Sequence, residues 1–213
     1  MLTIWGRLSS INVRKVVWCA QELGLAFERI EAGGAFGGTR TDDYLALNPN
    51  ALVPAIRDGE GPFEVQLWES NVIVRYLCAR YSPGQFYPAP LATRFDAERW
   101  MDWQQTTLNP AGRDAFLQLV RTAPEQRDAA RLQASVAATE PLLALLDAHL
   151  ADRAFVQGDA FGMADIPLAC EAHRWFGLPA AHYQRPHWPH LERWFASLQA
   201  RPAARGILDM VLS

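Results

Sequence analysis

The chain has 213 residues, half of them hydrophobic and one fifth charged, which is ordinary for a soluble globular protein of one large or two small domains. The formal net charge of −3 and the pI near 5.9 exclude a strongly basic surface, so we expect no nucleic-acid partner. No apolar run approaches the ~20 residues of a membrane-spanning helix, and the first residues do not resemble a signal peptide. We therefore expect a cytoplasmic protein with no membrane partner.

Strand and helix patterns alternate over the first part of the chain. Strands are predicted at 2–5, 27–30, 55–58 and 65–68, and helices at 13–23, 42–47 and 69–81. The resulting order, β-α-β-α-β-β-α, predicts a small mixed sheet with helices packed against it.

A proline-rich segment at 82–90 predicts the boundary between two domains. The pattern beyond it is helical, with helices predicted at 91–121, 125–152, 163–176 and 190–200. Pro110 and Pro141 lie inside the two longest of these helices, where a kink or a break is expected.

The three cysteines, Cys19, Cys78 and Cys170, are far apart and odd in number. Neither a disulfide framework nor a metal site is indicated, so no metal cofactor is expected. All three lie in helical patterns, which favours buried and inert thiols.

The turn between the first strand and the first helix carries Ser9, Ser10 and Asn12. Such residues often only cap a helix, but a hydroxyl at a helix N-terminus also suits a bound thiolate. Lowering the pKa of a free thiol from ~8.5 by about two units requires roughly 3 kcal/mol. A hydrogen bond to a charged group contributes roughly 1.5–3 kcal/mol and a helix terminus roughly 0.3–1 kcal/mol, so one hydroxyl can supply most of the shift.

Two further segments suit a small peptide-like ligand. Pro54 stands at the entrance to a short strand, which is typical of a fixed X-Pro bond, and the backbone of Val53 can pair with an extended peptide. Glu69 and Ser70 open a helix, where free N–H groups favour a carboxylate. Each segment also has a structural interpretation, as a proline at a strand start and as a capping pair.

Over essentially its whole length the chain resembles the cytosolic glutathione transferases. Val53-Pro54 is similar to the V-P pair of this family, and residues 69–77 resemble its E-S-x-A-I-x-x-Y-L pattern with Val72 in place of Ala. Residues 155–159, followed by Ala164-Asp165-Ile166, resemble its buried capping motif.

The resemblance implies a cis Val53–Pro54 bond and a domain organisation. It implies a thioredoxin-like N-terminal domain at 1–81 with a mixed four-stranded sheet, a linker at 82–90, and an all-helical domain at 91–213 that contributes the electrophile site.

Within the family, the serine-rich turn resembles the bacterial, theta-like branch that uses a serine. The spacing from Ser10 to Arg14 is similar to that of the catalytic hydroxyl, which implies that Ser10 donates to the glutathione thiolate. Asn12 is implied to assist, and Ser9 is the alternative donor.

The resemblance implies three further contacts to glutathione. Val53, before Pro54, would pair with the cysteinyl backbone, Glu69 would bind the γ-glutamyl amine, and Ser70 would bind the neighbouring carboxylate.

The chain departs from the family at three further positions. Leu52 stands where a basic residue often binds the glycyl carboxylate, and Arg40 is the candidate substitute. Gly162 replaces the usual Ser or Thr of the capping motif, which leaves Asp165 to cap from the other side. Ile11 replaces the Cys that follows the serines of the zeta-class isomerases, which argues against maleylacetoacetate isomerase activity.

The resemblance therefore implies a detoxifying transferase that activates glutathione for attack on a hydrophobic electrophile, and a homodimer. Trp103 and Phe116, together with Trp100 and Leu117, are candidates for the electrophile site, although helical spacing of aromatic residues also fits a core. Two alternatives stay open: glutathione-dependent disulfide or peroxide reduction on the same fold, and a non-catalytic binding protein. The sequence does not identify the electrophile.

Overall fold

The structure is a computed structural model that describes residues 1–212. The chain divides into two compact units, one spanning Met1–Ala89 and one beginning at Pro90. The predicted domain limit at 81 and the linker at 82–90 stay predictions.

The N-terminal unit is built on a mixed sheet of four strands. The strands are β1 (Leu2–Trp5), β2 (Phe27–Ile30), β3 (Ala55–Asp58) and β4 (Val65–Trp68). Their order is β2-β1-β3-β4; β1 and β2 are parallel, and the other pairs are antiparallel. The predicted mixed sheet is confirmed.

Three helices belong to this unit, namely α1 (Ile11–Glu22), α2 (Asp42–Leu47) and α3 (Ser70–Tyr81). Helices α1 and α3 pack against each other, and between them the Cys19 and Cys78 sulfur atoms are 3.6 Å apart. Burial raises the pKa of the Cys19 thiol well above its ordinary value. Cys19, Cys78 and Cys170 are all buried thiols outside any disulfide, and their predicted burial is confirmed.

The register of the sheet places Trp5, Ala55 and Trp68 on one face, because these residues pair across neighbouring strands. We call this the Trp5 face. A small apolar core forms there beside α2, since Tyr44 and Leu47 of that helix are buried against Ala55 and Trp5. Ala32 and Val53 complete this core. The core therefore holds α2 and the segment before β3 against the sheet.

The second unit is helical. Its helices are α4 (Leu91–Trp103), α5 (Asn109–Phe116), α6 (Ala129–His149), α7 (Asp165–Phe176) and α8 (Pro189–Gln199). Across the described residues, no helix is both long enough and apolar enough to cross a bilayer.

The two prolines of the long helices have different effects. The run predicted at 91–121 is interrupted by π-helical turns at Gln104–Leu108 and Leu117–Arg121. Pro110 falls in the first turn of α5, directly after the first of these π-helical turns. Pro141 lies inside an uninterrupted α6, so no break occurs there, and a kink at this position stays a prediction.

Asp165 organises the start of α7. Its carboxylate is fully buried and accepts hydrogen bonds from Val156 N (2.9 Å), Gly162 N (2.9 Å) and Trp194 Nε1 (2.8 Å). Burial outweighs these donors and raises its pKa to about 6. A Cβ at position 162 would lie 1.7 Å from Gln157 Oε1, the far end of a flexible side chain, so a residue with a Cβ would require Gln157 to move.

Candidate functional site

A cleft in the N-terminal unit contains most of the predicted ligand contacts. We call it the cis-proline cleft; its lining residues are Asn12, Asn48, Asn50, Leu52, Val53, Pro54, Trp68, Glu69 and Ser70. Its volume is about 50 Å³, smaller than a tripeptide.

Buried hydrogen bonds fix the loop before β3. The Val53–Pro54 bond is cis, as the resemblance implied. The Leu52 carbonyl oxygen accepts hydrogen bonds from Tyr44 Oη (2.6 Å) and Asn48 Nδ2 (2.8 Å). Because two side chains hold this carbonyl, the Val53 backbone beside it is presented to the cleft in one orientation.

Asn48, Asn50 and Trp68 line the cleft but were not predicted from the sequence. Asn48 Oδ1 accepts hydrogen bonds from Asn50 N (3.0 Å) and Asn50 Nδ2 (3.1 Å), a local turn of the kind that Asn favours. The Asn-Pro-Asn sequence at 48–50 signals this turn, although by itself it indicates only the end of α2. Trp68 carries no comparable local signal.

Two polar atoms in the cleft are buried without a partner. Within residues 1–212, neither Ser70 Oγ nor Asn12 Oδ1 has a hydrogen-bond partner. Nearly all buried polar atoms in native proteins are satisfied, so these two atoms are positions that a polar ligand or an ordered water would complete. An Asn side chain carries both a carbonyl oxygen and an amide NH₂, so Asn12 offers acceptor and donor groups to that ligand.

Glu69 adopts a strained backbone conformation at the start of α3. Its φ is 70° and its ψ is 109°, in the left-handed half of conformational space that favours glycine. Strain of this kind costs roughly 1–3 kcal/mol and concentrates at ligand sites. The Glu69 side chain is exposed beside Ser70, whose N–H group belongs to the free first turn of the helix. A carboxylate and N–H donors thus lie side by side.

Ser10 occupies the N-cap position of α1 without using its hydroxyl there. Its backbone is extended, and its carbonyl oxygen accepts from Arg14 N at 3.1 Å, but its side chain forms no capping hydrogen bond. The half-exposed hydroxyl is therefore available to a ligand. Ser9 and Ser10 are not among the residues that line the cleft, although Asn12 of the same turn is. Their predicted roles stay predictions.

The structure gives no basic partner for the glycyl end. Leu52 lines the cleft and is 65% exposed, whereas Arg40 is exposed and does not line it. The described lining residues include no basic side chain.

The predicted electrophile residues lie in the helical unit. Phe116 is 7% exposed, and the guanidinium groups of Arg174 and Arg121 lie 5.0 Å and 5.1 Å from its ring centroid. Trp103 is half-buried and meets Trp100 edge-on at 5.2 Å. This packing suits a core position for Phe116, and the role of both residues at an electrophile site stays a prediction.

Each of the two units matches a model of a known protein family. Residues 9–80 match the glutathione S-transferase N-terminal domain, and residues 107–202 match the glutathione S-transferase C-terminal domain. The chain belongs to the glutathione S-transferase family. The predicted thioredoxin-like domain followed by a helical domain is the architecture of this family.

Individual glutathione S-transferases resemble the whole chain. Glutathione S-transferase GstB of Escherichia coli K12 is 44% identical over 213 residues, covering 100% of both chains. Glutathione S-transferase 3 of Zea mays is 33% identical, covering 95% of this chain and 90% of the relative. A theta class glutathione S-transferase of Xanthomonas axonopodis pv. citri, solved with glutathione bound, is 46% identical with a TM-score of 0.92, covering 100% of this chain and 99% of the other.

Proposed function

We propose that the chain is a glutathione transferase that binds glutathione in the cis-proline cleft and transfers it to a hydrophobic electrophile. The proposal rests above all on the unpartnered Ser70 Oγ and Asn12 Oδ1, which lie in one cleft of a chain that belongs to this family. Glutathione is the co-substrate.

The γ-glutamyl end of glutathione matches the start of α3. The Glu69 carboxylate accepts hydrogen bonds from the ligand's ammonium group. Ser70 donates its hydroxyl and backbone N–H to the adjacent carboxylate, which the N-terminus of α3 also favours. The Val53 backbone pairs with the cysteinyl residue, as in strand addition.

The sulfur end faces the turn before α1. Ser10 donates its hydroxyl hydrogen to the thiolate, and the side-chain NH₂ of Asn12 donates a second hydrogen bond to it. The thiol loses its proton to solvent, and the thiolate attacks an electrophilic carbon. A sulfur–carbon bond forms, and the leaving group departs with the electron pair of the broken bond.

The glycyl end is the weakly held part of the ligand. Leu52 provides only apolar contact at the edge of the cleft, and the described lining residues offer no cation for the glycyl carboxylate. The γ-glutamyl and cysteinyl parts therefore supply most of the binding energy.

Two further properties follow from family membership rather than from the site. We propose that the chain forms a homodimer and acts in the cytoplasm. Light scattering of the purified protein tests the first, with twice the chain mass of 23.8 kDa as the expected result.

An activity screen tests the proposed function. The protein is passed over immobilised glutathione and then assayed with an activated aryl halide, an epoxide, an organic peroxide and a mixed disulfide. We expect retention and a glutathione conjugate with the halide or the epoxide. Turnover of the disulfide or peroxide alone would replace the proposal with a reductase, and retention without any turnover would leave a binding protein.

Glu69→Gln is expected to weaken glutathione binding roughly tenfold or more. A hydrogen bond to a charged group is worth roughly 1.5–3 kcal/mol, and the substitution removes the charge while keeping the shape of the side chain. Isothermal titration calorimetry gives the Kd. The matched control is Glu60→Gln, an exposed carboxylate outside the cleft, which should leave the Kd unchanged. Equal affinities of Glu69→Gln and wild type would refute the assigned amine contact.

A further inference from the structure

The N-terminal unit has a second and larger cavity beside α2. We call it the Trp5 cavity; its volume is about 560 Å³, and it is lined by Trp5, Ile30, Glu31, Ala32, Gly38, Thr41, Asp43, Tyr44, Ala46, Leu47 and Arg57. This volume lies in the range of ligand pockets, roughly 300–1,000 Å³. No lining residue is shared with the cis-proline cleft, so the two are separate sites.

Much of the surface inside the Trp5 cavity is apolar. Trp5, Ala32 and Leu47 belong to the small core of the Trp5 face, and Ile30 stands on the wall with 37% of its surface exposed. The Arg57 guanidinium lies over the Trp5 ring, 5.8 Å from the centroid, and leaves part of the half-buried indole uncovered. An uncovered indole beside an aliphatic wall suits a flat apolar group.

The charged lining residues favour a cation over an anion. The Arg57 charge is balanced by Glu64, whose Oε1 is 3.3 Å from Arg57 Nε. Glu31 is ion-paired with Arg29 at 2.6 Å, and this pairing holds the pKa of Glu31 below its ordinary value. The side chain of Asp43 takes part in none of the hydrogen bonds or salt bridges found among residues 1–212.

Asp43 also lies in the first turn of α2, where a carboxylate complements the helix dipole. Asp42 of the same turn has the same relation to the helix but does not line the cavity. The helix dipole accounts for both acidic residues in this turn. Asp43 differs from Asp42 because its carboxylate can also contact a ligand in the cavity.

We propose that the Trp5 cavity binds a small hydrophobic primary amine. The apolar body of the ligand lies against Trp5 and Ile30, and its ammonium group points to the carboxylate of Asp43. The site is independent of the glutathione cleft, and the inference does not rest on the proposed transferase activity.

Titration with two probes of similar shape and opposite charge tests the proposal. Phenylethylammonium and phenylpropionate are added separately to the full chain. The indole N–H resonance of Trp5, assigned by its loss in Trp5→Phe, reports occupancy in the NMR spectrum. We expect saturable shifts with the ammonium probe and at least threefold weaker binding of the carboxylate probe. Saturating glutathione should leave the Kd of the ammonium probe unchanged.

Three variants distinguish the Trp5 cavity from adventitious binding. Asp43→Asn should weaken the ammonium probe about threefold to fivefold, the effect of a partly exposed ion pair. Its control, Glu28→Gln, removes an exposed carboxylate that does not line the cavity and should have no effect. Ile30→Trp fills the cavity and should weaken binding at least tenfold.

The outcomes that overturn the proposal are distinct from a failure of the transferase activity. No saturable shift at Trp5, equal binding of phenylpropionate, or an unchanged Kd in Asp43→Asn would each refute the amine site. Displacement of the probe by glutathione would place it in the cis-proline cleft and would also refute the proposal. None of these readouts depends on turnover.

Discussion

Ser10→Ala is expected to lower kcat/KM for glutathione conjugation by roughly 10- to 100-fold. The substitution removes a hydroxyl that the helix does not use, together with the hydrogen bond that it donates to the thiolate. That bond is worth roughly 1.5–3 kcal/mol, and each 1.4 kcal/mol corresponds to about a tenfold change in rate. Steady-state kinetics with an activated aryl halide at saturating electrophile measures the effect.

Ser9→Ala is the matched control, because it removes the same group from the neighbouring position of the same turn. We expect it to retain activity within about threefold of wild type. If Ser9→Ala is inactive while Ser10→Ala is fully active, the donor has been assigned to the wrong serine. If neither substitution changes the kinetics, the hydroxyl account of thiolate stabilisation fails.

Asp165→Ala is expected to lower the free energy of unfolding by roughly 3–5 kcal/mol. The carboxylate is the acceptor for Val156 N–H, Gly162 N–H and the Trp194 indole N–H, and its loss leaves buried donors unsatisfied. Each unsatisfied donor costs roughly 1–3 kcal/mol. Urea denaturation measures the change, and Asp159→Ala, at an exposed carboxylate of the same segment, should cost less than about 0.5 kcal/mol. A cost below about 1 kcal/mol for Asp165→Ala would contradict the role of this carboxylate.

The pH dependence of the free energy of unfolding tests the raised pKa of Asp165. The pKa of Asp165 is about 6 in the folded chain, against an ordinary value of 3.8, so between these values the folded state holds more protons than the unfolded state. This contribution to stability is present below about pH 4 and is lost as the pH rises through 6. The free energy of unfolding of the wild type, measured relative to Asp165→Asn, should therefore fall by roughly 2 kcal/mol from pH 4 to pH 7. A constant difference would contradict the raised pKa.

The short strands were predictable because the alternation of residues in their sequence matches the alternation of burial in the folded sheet. Leu2 and Ile4 alternate with the less buried Thr3 and Trp5, as expected for a strand with one face more deeply buried than the other. Helix α2 was predictable for a similar reason, since Thr41 precedes it and its side chain accepts from Tyr44 N as an N-cap.

The long helices were less predictable because their course depends on tertiary packing. The spacing of hydrophobic residues did not predict the π-helical turns at Gln104–Leu108 and Leu117–Arg121. Pro141 has the local chemistry of a helix breaker, yet α6 continues through it. Packing of α6 against α5 supplies stabilisation that a local rule does not include.

The candidate site was predictable where its residues lie close together in the sequence. Val53-Pro54 and Glu69-Ser70 are adjacent pairs at element boundaries, and the structure brings both pairs into one cleft with Asn12. Trp68 was not predicted as a site residue. It is the last residue of β4, and its sequence pattern indicates a strand but no ligand contact. Arg40, the candidate for the glycyl carboxylate, follows a glycine-rich loop, and no sequence pattern predicts where the residues of such a loop lie relative to the cleft.

The central claim is that the cis-proline cleft binds glutathione as a thiolate. Ultraviolet absorbance of the thiolate, measured against pH for the complex and for free glutathione, tests it most directly. We predict that the bound thiol titrates about two units below the free thiol, and that Ser10→Ala loses at least one unit of this shift. A bound thiol that titrates like free glutathione in the wild-type protein would contradict the account.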